Sequence, residues 1–234
     1  MLRRPKLILI DLDGTLVDSV PDLAWCVNET LTRLGMTPHD ESSIRQWVGN
    51  GVDRLVERAL VNDIDGMPAA TLRDKALPIF YELYADHTAE RSRLYPGVEA
   101  GLQAFDTMGC RIGCVTNKAE RFTLPLLEKL GILSRFELVV SGDRLPERKP
   151  SPRPLLFAAE HFRVAPEDST MVGDSRSDVA AARAAGFQIV CVSYGYNHGI
   201  DIREEKPDAV VDSMEEVVAL FEPAPMRDQA VPNV

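Results

Sequence analysis

Six short apolar runs punctuate the chain, and each stops at a small or polar residue: "KLILIDLDG", "CRIGCVTN", "FELVVSGD", "STMVGDS", "FQIVCVSYG" and "DAVVDS". They are nearly continuous rather than alternating, so the strands they specify are buried on both faces, the pattern of a parallel sheet. Helical patterns lie between them, notably "LPLLEKLGI" and the Ala-rich "DVAAARAAG", which closes on Gly186 as a C-terminal cap. Strand and helix alternate from about residue 94 onward. The expected class is therefore α/β, with a Rossmann-like, doubly wound parallel-sheet core.

The interval between the first run and the second is far too long for one crossover helix. Residues 18–93 carry helical patterns and no convincing strand: "PDLAWCVNETLTRLG", "ESSIRQWV", "GVDRLVERALV" and "AATLRDKALPIFYELYADHTAE". Ser19 is placed to cap the first of these helices, Pro21 suits its first turn, and Asp22 suits the positive end of its dipole. The sequence thus predicts a helical cap over residues 18–93, inserted into a core formed by residues 1–17 and 94–222. "RLYPGV" returns the chain to the core, and residues 223–234 are expected to be a poorly ordered tail.

A net charge of -10 argues against a general nucleic-acid binder, which needs clustered Lys and Arg. No apolar run approaches the roughly 20 residues needed to span a bilayer, so no membrane partner is expected. Cys26, Cys110, Cys114 and Cys191 lack the spacings of zinc or redox sites and are expected to be buried thiols, consistent with a reducing cytoplasm.

In an open α/β sheet the ligand sits beyond the carboxyl ends of the strands. Asp11 and Asp13 follow the first run, Thr116 and Asn117 the second, and Asp174 with Ser175 follows "TMVG"; Lys149 lies in the loop after "ELVVSGD". Three crowded carboxylates repel one another unless a cation joins them. A hard divalent ion such as Mg2+ accepts oxygen ligands, and Lys149 supplies a second positive centre. Together they would attract and neutralise a phosphoryl group. One carboxylate can then act as nucleophile, forming an aspartyl-phosphate, while another handles protons.

"DLDGTLVDS", "VTN", "KP" and "GDSRSD" resemble, in order, the four motifs of the haloacid dehalogenase superfamily of phosphatases, over essentially the whole chain to about residue 213. The resemblance implies that Asp11 is the nucleophile, Asp13 the general acid and base, Thr116 a phosphate ligand, and Lys149 the holder of nucleophile and phosphate. It implies a Mg2+ site of Asp11, the Asp13 backbone carbonyl and Asp174, with Asp178 nearby. Gly14 and Thr15 would form a tight turn whose N–H groups face the phosphate.

Within the superfamily, "DLDGTLVDS", "WVGNGVDRLVERAL", "TNKAERF" and "SYGYNHG" are most similar to bacterial phosphoglycolate phosphatases. The implied reaction is 2-phosphoglycolate plus water to glycolate plus phosphate. The implied partner is a small phosphorylated metabolite, and the protein a monomer or small homo-oligomer. A phosphatase for a sugar phosphate or pyrophosphate, or a β-phosphoglucomutase-like phosphomutase, would share the core residues. A dehalogenase dispenses with the second acid, and a receiver-like phospho-acceptor switch lacks the large inserted cap.

Two features of the sequence leave alternatives open. Gly49, Asn50 and Gly51 precede a helix; either their N–H groups, with Arg54, meet the substrate carboxylate, or they form an ordinary turn with Arg54 on a solvated face. His198 is either a ligand or a structural loop residue.

Overall fold

A computed structural model describes residues 2–221 of the chain; the tail expected over residues 223–234 lies outside the described residues. All six apolar runs form strands of one sheet: β1 (Leu7–Ile10), β4 (Arg111–Val115), β5 (Leu138–Val140), β6 (Ser169–Gly173), β7 (Gln188–Val192) and β8 (Ala209–Val211). The order is β5-β4-β1-β6-β7-β8 and every pairing is parallel. Alternate residues of β1 serve opposite faces. Ile8 and Ile10 pack with α5 (Val98–Thr107), α6 (Glu120–Lys129) and α9 (Met214–Ala219). Leu7 and Leu9 pack with α7 (Arg153–Phe162) and α8 (Arg176–Ala185). All four side chains of β1 are fully buried, each worth about 1.5–3 kcal/mol on transfer from water.

The inserted segment contains α1 (Val20–Arg33), α2 (Glu41–Trp47), α3 (Val52–Val61) and α4 (Ala70–His87), packed around Val27, Ile44, Leu55 and Phe80. It is entered and left through a two-stranded antiparallel ribbon of β2 (Val17–Asp18) and β3 (Arg93–Leu94). The first turn of α1 departs from the sequence reading. Ser19 makes no capping bond to the helix; its hydroxyl donates instead to Asp13 Oδ1 at 2.6 Å. Asp22 is wholly buried and accepts from the N–H groups of Arg91 and Ser92 and from the Ser92 hydroxyl, at 2.9, 2.9 and 2.6 Å. A buried carboxylate is held better by three donors than by a helix dipole alone. Asp22 therefore clasps the outgoing chain to the incoming helix.

The four cysteines are free and buried. No helix among the described residues is long and apolar enough to cross a membrane.

Candidate active site

Because β4, β1 and β6 are adjacent, their carboxyl ends lie side by side, with Ile10 opposite both Cys114 and Val172. The residues that follow come into one cleft: Asp11, Asp13, Thr116, Asn117 and Asp174, with Lys149 from the loop after β5. Val48, Gly49, Asn50, Gly51 and Leu55 cover it from the cap, and Tyr196 and His198 flank it.

Lys149 is the centre of the acidic group. Its Nζ lies 2.9 Å from Asp11 Oδ1 and 2.8 Å from Asp178 Oδ1, and it donates to Val115 O at 2.7 Å. Asp11, Asp174 and Asp178 each offer an oxygen within 4.8 Å of the others'. Burial pushes the Asp11 carboxyl up to about 7, against the opposing pull of Lys149. Burial, then Asp178 and Asp11, raises Asp174 well above the usual carboxylate range. Burial works against the charge of Lys149, but Asp11 and Asp178 outweigh it and the net shift is upward. Three carboxylates against one ammonium leave two negative charges in excess when all are ionised. That donor set, all hard oxygens around a charge deficit of two, fits a divalent cation.

Asp13 belongs to a separate group. Its carboxylate accepts from Lys118 Nζ at 3.1 and 3.2 Å and from Ser19, and it stands outside the three-acid cluster.

Gly14 and Thr15 act differently from the sequence expectation. Their N–H groups donate to Val17 O and Leu12 O, closing the turn, and are not directed at a ligand. What they serve is Asp174. Gly14 has φ +87, and a Cβ there would stand 2.3 Å from Asp174 Oδ2. Thr15 Oγ1 donates to Asp174 Oδ1 at 2.7 Å, and the Tyr196 N–H donates to Oδ2 at 2.6 Å. Asp178 is equally committed: Ser175 N–H and Oγ donate to its Oδ2 in a capping box that starts α8. It is fully buried, so its contribution reaches the cleft through Lys149.

Thr116 is buried, its hydroxyl accepting from the Lys118 N–H at 3.2 Å. Asn117 Nδ2 donates to Lys149 O at 2.9 Å and so ties the lysine loop to the end of β4.

The cap loop is braced from two sides. Arg58 donates to Trp47 O and Asn50 Oδ1 at 2.6 and 3.2 Å, and a His198 ring nitrogen lies 2.8 Å from Gln46 O. Burial lowers the pKa of His198, and its ring braces the loop through Gln46 O. The structure does not bring Arg54 into the cleft. Its guanidinium donates to Gly66 O at 2.8 Å and Ile64 O at 3.1 Å and pairs with Glu57 at 3.2 Å. The loop after α3 folds back over it, and three acceptors outcompete an exposed path to the cleft.

Sequence reasoning gave no role to Lys118, Ser19 as a partner of Asp13, Tyr84 or Tyr196. "TNKAERF" and "SYGYNHG" contain two of these residues, but nothing in either string says which acid they meet. Arg176 also lines the cleft from the start of α8.

The sequence profile of the haloacid dehalogenase-like hydrolases matches residues 8–192. A phosphoglycolate phosphatase of Nitrosococcus oceani is 59% identical over 224 residues, 96% of this chain and 100% of that protein. Another, of Nitrosospira multiformis, is 46% identical over 93% of this chain and 96% of its own length. A crystal structure of a predicted phosphoglycolate phosphatase from Haemophilus somnus matches with a TM-score of 0.88 and 34% identity, covering 94% of this chain and 99% of that one. With its acids set at the adjoining ends of β1 and β6 beneath a helical insertion, the chain belongs to the haloacid dehalogenase-like hydrolase family.

Proposed function

We propose that this protein is a Mg2+-dependent phosphomonoesterase that converts 2-phosphoglycolate and water to glycolate and phosphate through an aspartyl-phosphate on Asp11. The observation that carries this reading is the division of acids within one cleft. Asp11 and Asp178 share Lys149, and with Asp174 beside them the three acids fit a divalent cation, whereas Asp13 has its own cation in Lys118. The names of the relatives at 59% and 46% identity support the substrate.

Asp11, Asp174 and the Asp13 backbone carbonyl would hold Mg2+, which when bound neutralises the phosphoryl oxygens and the carboxylate cluster. Lys149 orients Asp11 through Oδ1 and presents a positive charge to the phosphate. Thr116 takes a phosphoryl oxygen. Asp11 attacks phosphorus as the ester bond to the alcohol breaks, and Asp13 gives a proton to the leaving oxygen. Asp13 then accepts a proton from the water that attacks the aspartyl-phosphate. The N–H groups at the start of α3, which has no side-chain cap at Gly51, take the substrate carboxylate. With buried thiols and no long apolar helix among the described residues, the reading extends to a cytoplasmic enzyme, a monomer or small homo-oligomer.

The test is phosphate release across a panel of phosphorylated metabolites with Mg2+. Phosphoglycolate should show the highest kcat/KM, and EDTA should abolish turnover. A preference for sugar phosphates or pyrophosphate, or transfer of labelled phosphate to a sugar instead of water, would remove the substrate assignment and leave the core chemistry. Asp11→Asn should lower kcat by at least about 10⁴-fold, as loss of a nucleophile does. Wild-type turnover by that variant would end the aspartyl-phosphate reading.

A further inference from the structure

Lys118 and Tyr84 are buried polar residues that the reaction as described leaves without a task. Lys118 is only 4% exposed and Tyr84 is fully buried. Lys118 lies in the loop after β4, and its backbone is fixed at both ends. The N–H donates to Thr116 Oγ1 at 3.2 Å, while the carbonyl accepts from Gly142 N at 2.8 Å and Thr123 Oγ1 at 3.1 Å. The side chain then spans to two partners. Nζ straddles Asp13 Oδ1 and Oδ2 at 3.1 and 3.2 Å, and it donates to the Tyr84 hydroxyl at 2.6 Å.

Tyr84 belongs to the cap, on α4, and its ring packs 4.8 Å from that of Phe122 on α6 of the core. Ser19, at the start of α1, completes the group by donating to Asp13 Oδ1 at 2.6 Å. Asp13 is thus held by one core cation and one hydroxyl from the cap entrance, and that cation is itself held by a cap phenol. Oδ1 carries two donors and Oδ2 one, so Oδ2 keeps a lone pair for the oxygen of a leaving group.

We infer that Lys118 is a positioning residue which, with Tyr84 of the cap, fixes the Asp13 carboxylate for proton transfer to the leaving alcohol. The buried ammonium is the only cation among the described residues paired with Asp13. Removing it takes away two of the three hydrogen bonds to the carboxylate and leaves a partly buried charge without its counter-ion. General acid catalysis requires the donor within hydrogen-bond reach of the departing oxygen, so a misplaced Asp13 slows expulsion of poor leaving groups. Esters whose alcohol departs readily as an anion are spared.

This inference rests on the reading of Asp13 as the acid, and the experiment separates the two. kcat/KM is measured for phosphoglycolate, phenyl phosphate and 4-nitrophenyl phosphate with the wild type and with Lys118→Met, Tyr84→Phe and Asp13→Asn. Lys118→Met should lose about 100-fold on phosphoglycolate and phenyl phosphate but less than about 5-fold on 4-nitrophenyl phosphate, the range of general acid catalysis. Tyr84→Phe, which removes one oxygen and keeps the packed ring, should show the same ordering with a loss of about 5-fold on the poor leaving groups. That second variant keeps the test decisive if Lys118→Met folds poorly.

Equal losses on all three esters would overturn the inference in favour of a merely structural lysine. A loss confined to phosphoglycolate would overturn it too, because Lys118 would then be reading the substrate carboxylate. If Asp13→Asn itself shows no leaving-group dependence, the reading of Asp13 fails. If Asp13→Asn shows it and neither Lys118→Met nor Tyr84→Phe does, only the present inference fails.

Discussion

Two buried lysines stand at one cleft, and their surroundings differ in charge balance. Lys149 meets Asp11 and Asp178 with Asp174 close by, three acids to one base. Lys118 meets Asp13 alone, one acid to one base, with the hydroxyls of Ser19 and Tyr84 completing the group. The first group has an excess of negative charge and calls for a divalent cation. The second is balanced within the chain and can hold a carboxylate in one orientation without help. The same residue type therefore serves ligand assembly in one place and positioning in the other.

The comparison breaks first at Lys149. Lys149→Met should lower kcat by about 10³-fold, the cost of removing a preorganised positive donor from a developing anion. It should also leave three acids with no base. A loss below tenfold would mean that Lys149 is no more than a structural partner of Asp178.

A subtler test uses pH and the melting temperature. In the metal-free protein Asp11 is raised to about 7 and Asp174 is raised as well, chiefly by burial. A folded-state pKa above the unfolded value of about 4 gives stability that is full below that value and is lost as pH rises through the folded pKa. The metal-free protein should therefore lose stability between about pH 4 and pH 7 through Asp11, with Asp174 acting in the same direction. Saturating Mg2+ replaces the protons, so its gain in Tm should be larger at pH 8 than at pH 5.5. For a chain of this size each kcal/mol corresponds to about 2–4 °C. A gain independent of pH would show that the cation does not compete with protons at these carboxylates.

The smallest expected effect concerns Arg54, the cationic side chain that the sequence left open between the substrate carboxylate and a solvated helix face. Its acceptors are Ile64 O, Gly66 O and Glu57, all within the cap. Arg54→Ala should change kcat/KM for phosphoglycolate by less than about 3-fold while costing about 1 kcal/mol of stability, as loss of a partly buried hydrogen-bonded group does. A large rise in KM with unchanged Tm would return the residue to the substrate.

The strands were legible because each apolar run is nearly continuous and stops at a polar residue; β1, β4, β6 and β7 are buried on both faces as that pattern implies, while the edge strands β5 and β8 are only partly buried. The helices of the cap were legible from their spacing between "LVDS" and "RLYPGV". The β2–β3 ribbon was not. Two residues on each side carry no periodicity, and their pairing joins positions more than 70 residues apart in sequence. Asp11, Asp174, Lys149 and Thr116 were legible as cleft residues because a parallel sheet sends its ligands to the carboxyl ends of its strands. The tasks of Gly14 and Thr15 were not, because the choice between turning the chain and binding a ligand depends on which acceptor lies nearest their N–H groups.

By itself, then, the sequence determined the parallel sheet, the inserted helices and the set of acids gathered at one edge. Those follow from local patterns of burial and from a rule of chain topology. The tertiary structure alone decided which cation meets which acid. Lys118 lies 105 residues from Asp13 and Lys149 29 residues from Asp178, and no local pattern encodes either distance. Lys and Arg side chains are long and flexible enough to reach several partners, so their choice is settled by the folded geometry around them: Lys149 to the crowded acids, Lys118 to Asp13 and the cap, Arg54 away from both.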